Sequence, residues 1–150
     1  MRQPAYEHVQ TFFLLKTEPG DYSWDDLERD GSTVWDGVAN YAALKHMREA
    51  REGDLALIYH TGRERAAVGI ARIVSDAYPD PRGGDPQIVV FDVEPVERLE
   101  KPVPLSAIRD DPDFQEADLV RQPRLSAMVL TPQQWDKLLT LGREHDVPEA

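Results

Sequence analysis

Residues able to grip a flat ring gather at the ends of the apolar runs. Trp24, Trp35, Tyr41 and Tyr59 stand there, accompanied by Lys16, Ser23, Asn40, His60 and Ser126. Aromatic faces stack on planar heterocycles, and amide and hydroxyl groups read their edges. A flipped nucleobase requires that combination. The competing reading makes Trp35 and Tyr59 ordinary core residues.

Other chemistries find less support. The chain has no cysteine, which excludes disulfides, thiolate zinc sites and a cysteine nucleophile. None of His8, His46, His60 and His145 has another histidine at i+4, so no metal site is indicated. His60 alone lies at a strand end beside aromatics, where a hydrogen-bonding role is expected. Ser23 or Ser126 can be combined with His60 and Asp36 as a catalytic triad, but no nucleophile-elbow motif surrounds either serine. Asp25-Asp26 and Asp110-Asp111 read as helix-terminal and loop charges. No glycine-rich phosphate loop occurs, and no cofactor or metal is implied.

The elements that must position these residues begin with Thr11–Lys16, a strand holding four consecutive apolar residues and bounded by Pro19-Gly20. Ser23-Trp24-Asp25-Asp26 is a capping box opening a helix that runs to Arg29 and stops near Asp30-Gly31. Val34–Tyr41 reads as a loop flanked by two aromatics, and Ala39–Ala50 as a helix followed by Gly53. Asp54–His60 and Ala66–Ser75 form an antiparallel hairpin about the polar turn Thr61–Arg65. Gly69 in its second strand marks a bulge or a close backbone approach.

After the turn-rich Tyr78–Pro86 come a strand at Ile88–Val96, a short helix at Pro102–Arg109, an acidic loop at Asp110–Asp113 and a helical turn within Phe114–Val120. Ala127–Leu130 is a fifth apolar segment. Thr131-Pro132-Gln133-Gln134 starts a final helix, with Thr as cap and Pro at the first position; it is expected to run to about Leu141 and end at Gly142. The result is an α+β domain: a small, mostly antiparallel β-barrel or curved sheet of about five to six strands with peripheral helices. Residues 1–150 form one domain, and 1–11 and 143–150 are expected to be loose tails.

The net charge of −11 opposes strong non-specific nucleic-acid binding, which needs Lys and Arg to neutralise phosphates. The charge is uneven: Gly37 to Arg72 carries six basic and four acidic residues, so it is +2 against −13 for the rest. No signal peptide or membrane-spanning run is visible, which predicts a soluble intracellular protein, cytoplasmic or, in a eukaryote, nuclear.

Four separated motifs sharpen the ring-binding reading. They are Leu14-Leu15-Lys16-Thr17-Glu18-Pro19 with Tyr22-Ser23; Trp35-Asp36-Gly37-Val38 with Asn40-Tyr41; Gly53-Asp54 leading to Tyr59-His60; and Arg121 with Arg124-Leu125-Ser126. In this order, from about Phe12 to Gly142, the chain resembles the EVE domain family of the PUA-like group. The resemblance implies a PUA-like barrel and a reader of modified bases, chiefly modified cytosine in DNA, with RNA as the other carrier.

By the same resemblance the pocket comprises Lys16, Glu18, Ser23, Trp35, Asn40, Tyr41, Tyr59, His60, Arg124, Leu125 and Ser126. Trp35 or Tyr59 would stack on the base, Ser23, Asn40 and Ser126 would read its edge, and Lys16 and Arg124 would meet phosphate. Ala39, Ala42 and Leu44 depart from the family pattern, which carries arginine, glutamine and arginine there, and Thr61 stands where serine is usual. The reading is therefore a binder of nucleic acid carrying a modified base, without catalysis. Two alternatives stay open: an enzyme acting on a nucleotide or modified base with His60 as general base and Lys16 or Glu18 assisting, and a protein-interaction module.

Overall fold

A computed structural model describes residues 9–143. The run Phe12–Thr17 is strand β1, and Phe13, Leu14 and Leu15 are fully buried. A strand buried on both faces needs apolar side chains at successive positions, which explains the unbroken run. Helix α1 (Trp24–Asp30) follows, then strand β2 (Thr33–Trp35), helix α2 (Tyr41–Met47), and strands β3 (Leu55–His60), β4 (Ala66–Ile73), β5 (Tyr78–Pro79) and β6 (Val89–Pro104). Helix α3 (Leu105–Arg109), a 3-10 turn at Pro112–Phe114, helix α4 (Asp118–Arg121), strand β7 (Ala127–Leu130) and helix α5 (Pro132–Arg143) complete the chain.

The sheet runs β2-β6-β4-β3-β1-β7, with β5 paired separately to β6. Only β1 and β3 are parallel, so the sheet is mostly antiparallel, as expected. β2 and β5 arise from segments that read as loops; each is too short to show a period. β6 extends well past the expected Val96, and α3 begins only at Leu105. A proline inside the strand is tolerated where the ladder is irregular. Pro95 lies beside a register shift, with Ile70 opposite Glu97 and Ala71 opposite Pro95, which leaves Val96 as the extra residue.

Caps set the helix starts. Ser23 Oγ accepts the Asp26 amide at 3.1 Å, and Asp26 accepts the Ser23 amide at 2.9 Å, the expected capping box. Thr131 and Gln134 exchange the same pair of bonds at 3.0 Å each. Asn40 Oδ1 accepts the Ala43 amide at 3.0 Å, so α2 starts after Asn40 and not at Ala39. Such caps contribute about 1 kcal/mol each. α2 ends at Met47, and Gly53 instead serves the turn before β3, with φ of +100°. α5 includes Gly142, which was expected to stop it; a Cβ there would come within 3.0 Å of Leu99.

The expected tails fall largely on residues 1–8 and 144–150, outside the described residues. Gln10 and Thr11 are tied down: Gln10 Nε2 donates to the Gly53 carbonyl at 2.8 Å, and the Thr11 amide to the buried Asp54 carboxylate at 2.9 Å. No helix among the described residues is long and apolar enough to cross a membrane.

Inside the curl of the sheet, Trp24 is fully buried against Gly69. A Cβ on Gly69 would lie 2.6 Å from the Trp24 ring, and the β3–β4 register shifts between Ile58 and Tyr59 next to it. Gly69 thus provides both the close approach and the irregularity its position implied. Gly69→Ala should destabilise the fold by roughly 1–3 kcal/mol through overpacking. Urea unfolding would measure it, and an unchanged midpoint would show that the Trp24 ring has room to move.

Candidate functional site

β1 delivers Lys16 and Thr17 to the rim of the sheet, where the chain turns through Glu18–Tyr22 into α1. The Asp21 and Tyr22 amides both donate to the Glu18 carbonyl, at 2.8 and 2.9 Å, and Thr17 Oγ1 donates to the Tyr22 carbonyl at 2.7 Å. The Lys16 amide donates to the Ser126 carbonyl at 2.9 Å, which fixes the approach to β7. Between this turn, β2 and Ser126 opens a cleft of about 470 Å³. Lys16, Thr17, Glu18, Asp21, Tyr22, Thr33, Val34, Trp35, Asp36, Gly37, Val38 and Ser126 line it.

Trp35 closes one wall and is only 6% exposed. Tyr22 meets its ring edge-on at 6.5 Å and 85°. The Tyr22 hydroxyl donates to Asp30 at 2.8 Å, and burial, then that bond, raises its pKa. Three carboxylates surround the opening. Asp36 is paired with Arg82 at 2.6 Å, whereas Glu18 and Asp21 have no cationic partner among the described residues. Lys16 is the one cation in the lining. Its ammonium donates to the Pro123 carbonyl at 2.9 Å, lies 5.6 Å from the centre of the Tyr59 ring, and has its pKa lowered by burial.

A second hollow, about 350 Å³, is walled by Asn40, Ala42, Gln122, Pro123, Arg124 and Leu125. It draws on the same two loops as the cleft. Val38 and Ser126 line one, and Asn40 and Leu125 the other.

The eleven residues singled out from the sequence divide accordingly. Lys16, Glu18, Trp35 and Ser126 share the cleft. Asn40, Arg124 and Leu125 line the second hollow, with Asn40 also engaged as a helix cap. Ser23, Tyr41, Tyr59 and His60 line neither. Ser23 caps α1. Tyr41 is 57% exposed and its hydroxyl donates to Asp85 at 3.2 Å. Tyr59 is buried beneath Lys16, so Trp35 is the ring of the expected stacking pair that the fold brings to the cleft. Asp21, Tyr22, Asp36 and Val38 join the lining without having been singled out; all stand inside or beside the quoted motifs. Of the positions departing from the family pattern, Ala39 and Ala42 are exposed, while Leu44 is fully buried and belongs to the core.

His60 is 7% exposed. Its Nε2 accepts the Trp24 amide at 3.0 Å, which places the proton on Nδ1, 2.7 Å from Glu64 Oε1. Neither nitrogen has a lone pair left to take a proton from a ligand. Its partners are Trp24 and Glu64, not Ser23, Ser126 or Asp36, so the triad drawn from the sequence does not form. Among the described residues no group of three or more His, Cys, Asp or Glu could hold a metal ion.

Residues 11–141 match the family model of the EVE domain. The chain belongs to the EVE domain family. Chicken (Gallus gallus) thymocyte nuclear protein 1 is 31% identical over 88% of this chain and 69% of that protein. The EVE fold recurs in the solution structure of Rpa0253 from Rhodopseudomonas palustris, 33% identical with a TM-score of 0.83 over 93% of this chain and 99% of that one. It recurs also in human THYN1 solved in complex with 5-methylcytosine-containing DNA, 26% identical with a TM-score of 0.82 over 91% of this chain and 99% of that one. The α+β, PUA-like architecture of this EVE domain is therefore shared along almost its whole length.

His60→Phe keeps the ring volume and removes the acceptor of the Trp24 amide, leaving a buried donor unpaired at a cost of roughly 1–3 kcal/mol. Urea unfolding should register that loss while ligand binding at low temperature persists. A stable variant that no longer binds would move His60 from the scaffold to the ligand.

Proposed function

We propose that this EVE domain is a reader of DNA that holds a modified cytosine in the cleft between β1 and β2 and leaves it chemically unchanged. The observation that carries this reading is a single cleft joining an aromatic wall, Trp35, to two carboxylates, Glu18 and Asp21, that have no cationic partner among the described residues. Its volume of about 470 Å³ falls in the roughly 300–1,000 Å³ range of small-ligand sites. Carboxylate oxygens accept from the exocyclic N4 amino group of cytosine, which gives Glu18 or Asp21 an edge to read. Val34 and Val38 supply apolar contact of the kind that favours a methyl on C5. The Ser126 hydroxyl has a second edge within its reach, and Lys16 and Arg124 face the backbone phosphates.

The human relative solved with 5-methylcytosine DNA supports cytosine and DNA as the starting choice. The commitment of both His60 nitrogens supports binding without turnover. Affinity should be modest, because extruding a base costs a few kcal/mol and the protein carries −11 overall.

The direct test compares two duplexes differing only in one 5-methylcytosine. The modified duplex should bind more tightly, and Trp35→Leu, which keeps an apolar side chain at this buried position, should remove the preference. Asp21→Ala should weaken binding of the modified duplex by the roughly 1–3 kcal/mol of a lost base-edge contact. Equal binding of both duplexes by the unaltered protein would sink the proposal, as would release of an altered base on long incubation. Ala39→Arg should add one phosphate contact, raising affinity and steepening the log–log salt slope by about 0.9.

A further inference from the structure

Six arginines of this acidic protein pair with carboxylates: Arg29, Arg72, Arg82, Arg98, Arg121 and Arg143. The guanidiniums of Arg48, Arg51, Arg63, Arg65, Arg109 and Arg124 have no carboxylate partner among the described residues, although the chain offers 28 Asp and Glu. Two acids near Arg65 and Arg109 in the sequence are engaged elsewhere. Glu64 turns its carboxylate to His60 at 2.7 Å, and Asp111 is held by Lys137 at 3.4 Å.

The two arginines are also brought together. The Arg65 carbonyl accepts the amide of Leu105, the first residue of α3, at 2.8 Å, and Arg109 is the last residue of that one-turn helix. Arg65 adopts φ of 43°, the left-handed region that glycine occupies at least cost, yet the residue there is arginine. The charges of Arg65 and Arg109 favour the ionised form of Tyr59, against the burial that raises its pKa. Tyr59 pairs with Lys16 on one side and Ala67 of β4 on the other. The strand register and the Arg65–Leu105 bond thus set Lys16, at the cleft, Arg65 and the helix that ends in Arg109 across the ends of adjacent strands.

We infer that Arg65 and Arg109 form a second phosphate-binding station for the DNA strand whose base enters the cleft. The inference rests on the reader assignment. Two strand spacings separate β1 from β4, roughly 10 Å, which corresponds to about three nucleotides of rise along one strand. The station therefore contacts backbone about three nucleotides from the recognised base and carries no sequence information.

The test is the salt dependence of binding for Arg65→Gly/Arg109→Ala with the methylated and plain duplexes. Loss of two contacts should make the log–log salt slope shallower by about 1.8 for both duplexes. The preference for the methylated duplex should persist. Thermal unfolding should show an unchanged or higher midpoint, since glycine relieves the strain at position 65. Arg65→Gln/Arg109→Gln should give the same slope with the stems retained, and Arg72→Gln, at a cation already paired with Glu94, should leave it unaltered. A slope unchanged in both double variants would overturn the inference while leaving the reader assignment standing. A shallower slope with no preference in the unaltered protein would retain the station and remove the reader. Absence of salt-dependent binding to either duplex would remove both.

Discussion

One hydrogen bond fixes the geometry on which the rest depends: the Trp24 amide donating to His60 Nε2 in the protein interior. It pins the first turn of α1 to the end of β3. β1 is held beside β3 by its parallel ladder, so the chain between Thr17 and Trp24 has both ends immobilised. That short span is one wall of the cleft. The Trp24 ring reinforces the pin by filling the space above Gly69, and its Nε1 donates to Glu28 at 2.7 Å. Glu28 also accepts from Arg98 of β6, which ties the helix to the far side of the sheet. A recognition wall built on a turn is thereby given the rigidity of the strands beneath it.

Local chemistry was legible in the sequence, and long-range geometry was not. The buried strand β1, the capping boxes at Ser23 and Thr131 and the meaning of Gly69 each follow from neighbouring residues or from one backbone constraint. β2 escaped because three residues cannot show a period; it is a strand only through its pairing with β6. β6 was read from its alternation only as far as Val96, and the sequence does not show that its ladder continues past the irregularity at Pro95. Gly142 looked like a helix stop because only tertiary packing reveals the Leu99 side chain pressed against it.

The site shows the same division. Motif resemblance gathered residues from four segments, and the first, second and fourth contribute to the cleft lining. Resemblance does not separate the side chain facing a cleft from the one bracing it. Ser23 and His60 are bound up in maintaining the wall, and Tyr59 lies under Lys16. Asp21 and Tyr22, one position away from quoted residues, face the opening. The orientation depends on the Glu18 turn, whose carbonyl takes two amides and whose shape follows from where α1 begins.

The pairing order has a consequence for how such a protein is made. β1 lies between β3 and β7, and the cleft includes Ser126, which immediately precedes β7. Within this domain β1 cannot be enclosed until β7 has left the ribosome. Until then the apolar run Phe12–Leu15 has one ladder edge open, a state prone to mispairing with other nascent chains. Such late closure of a distant contact slows folding. It also makes the cleft one of the last features of the domain to form, because its lining is incomplete until Ser126 has been made.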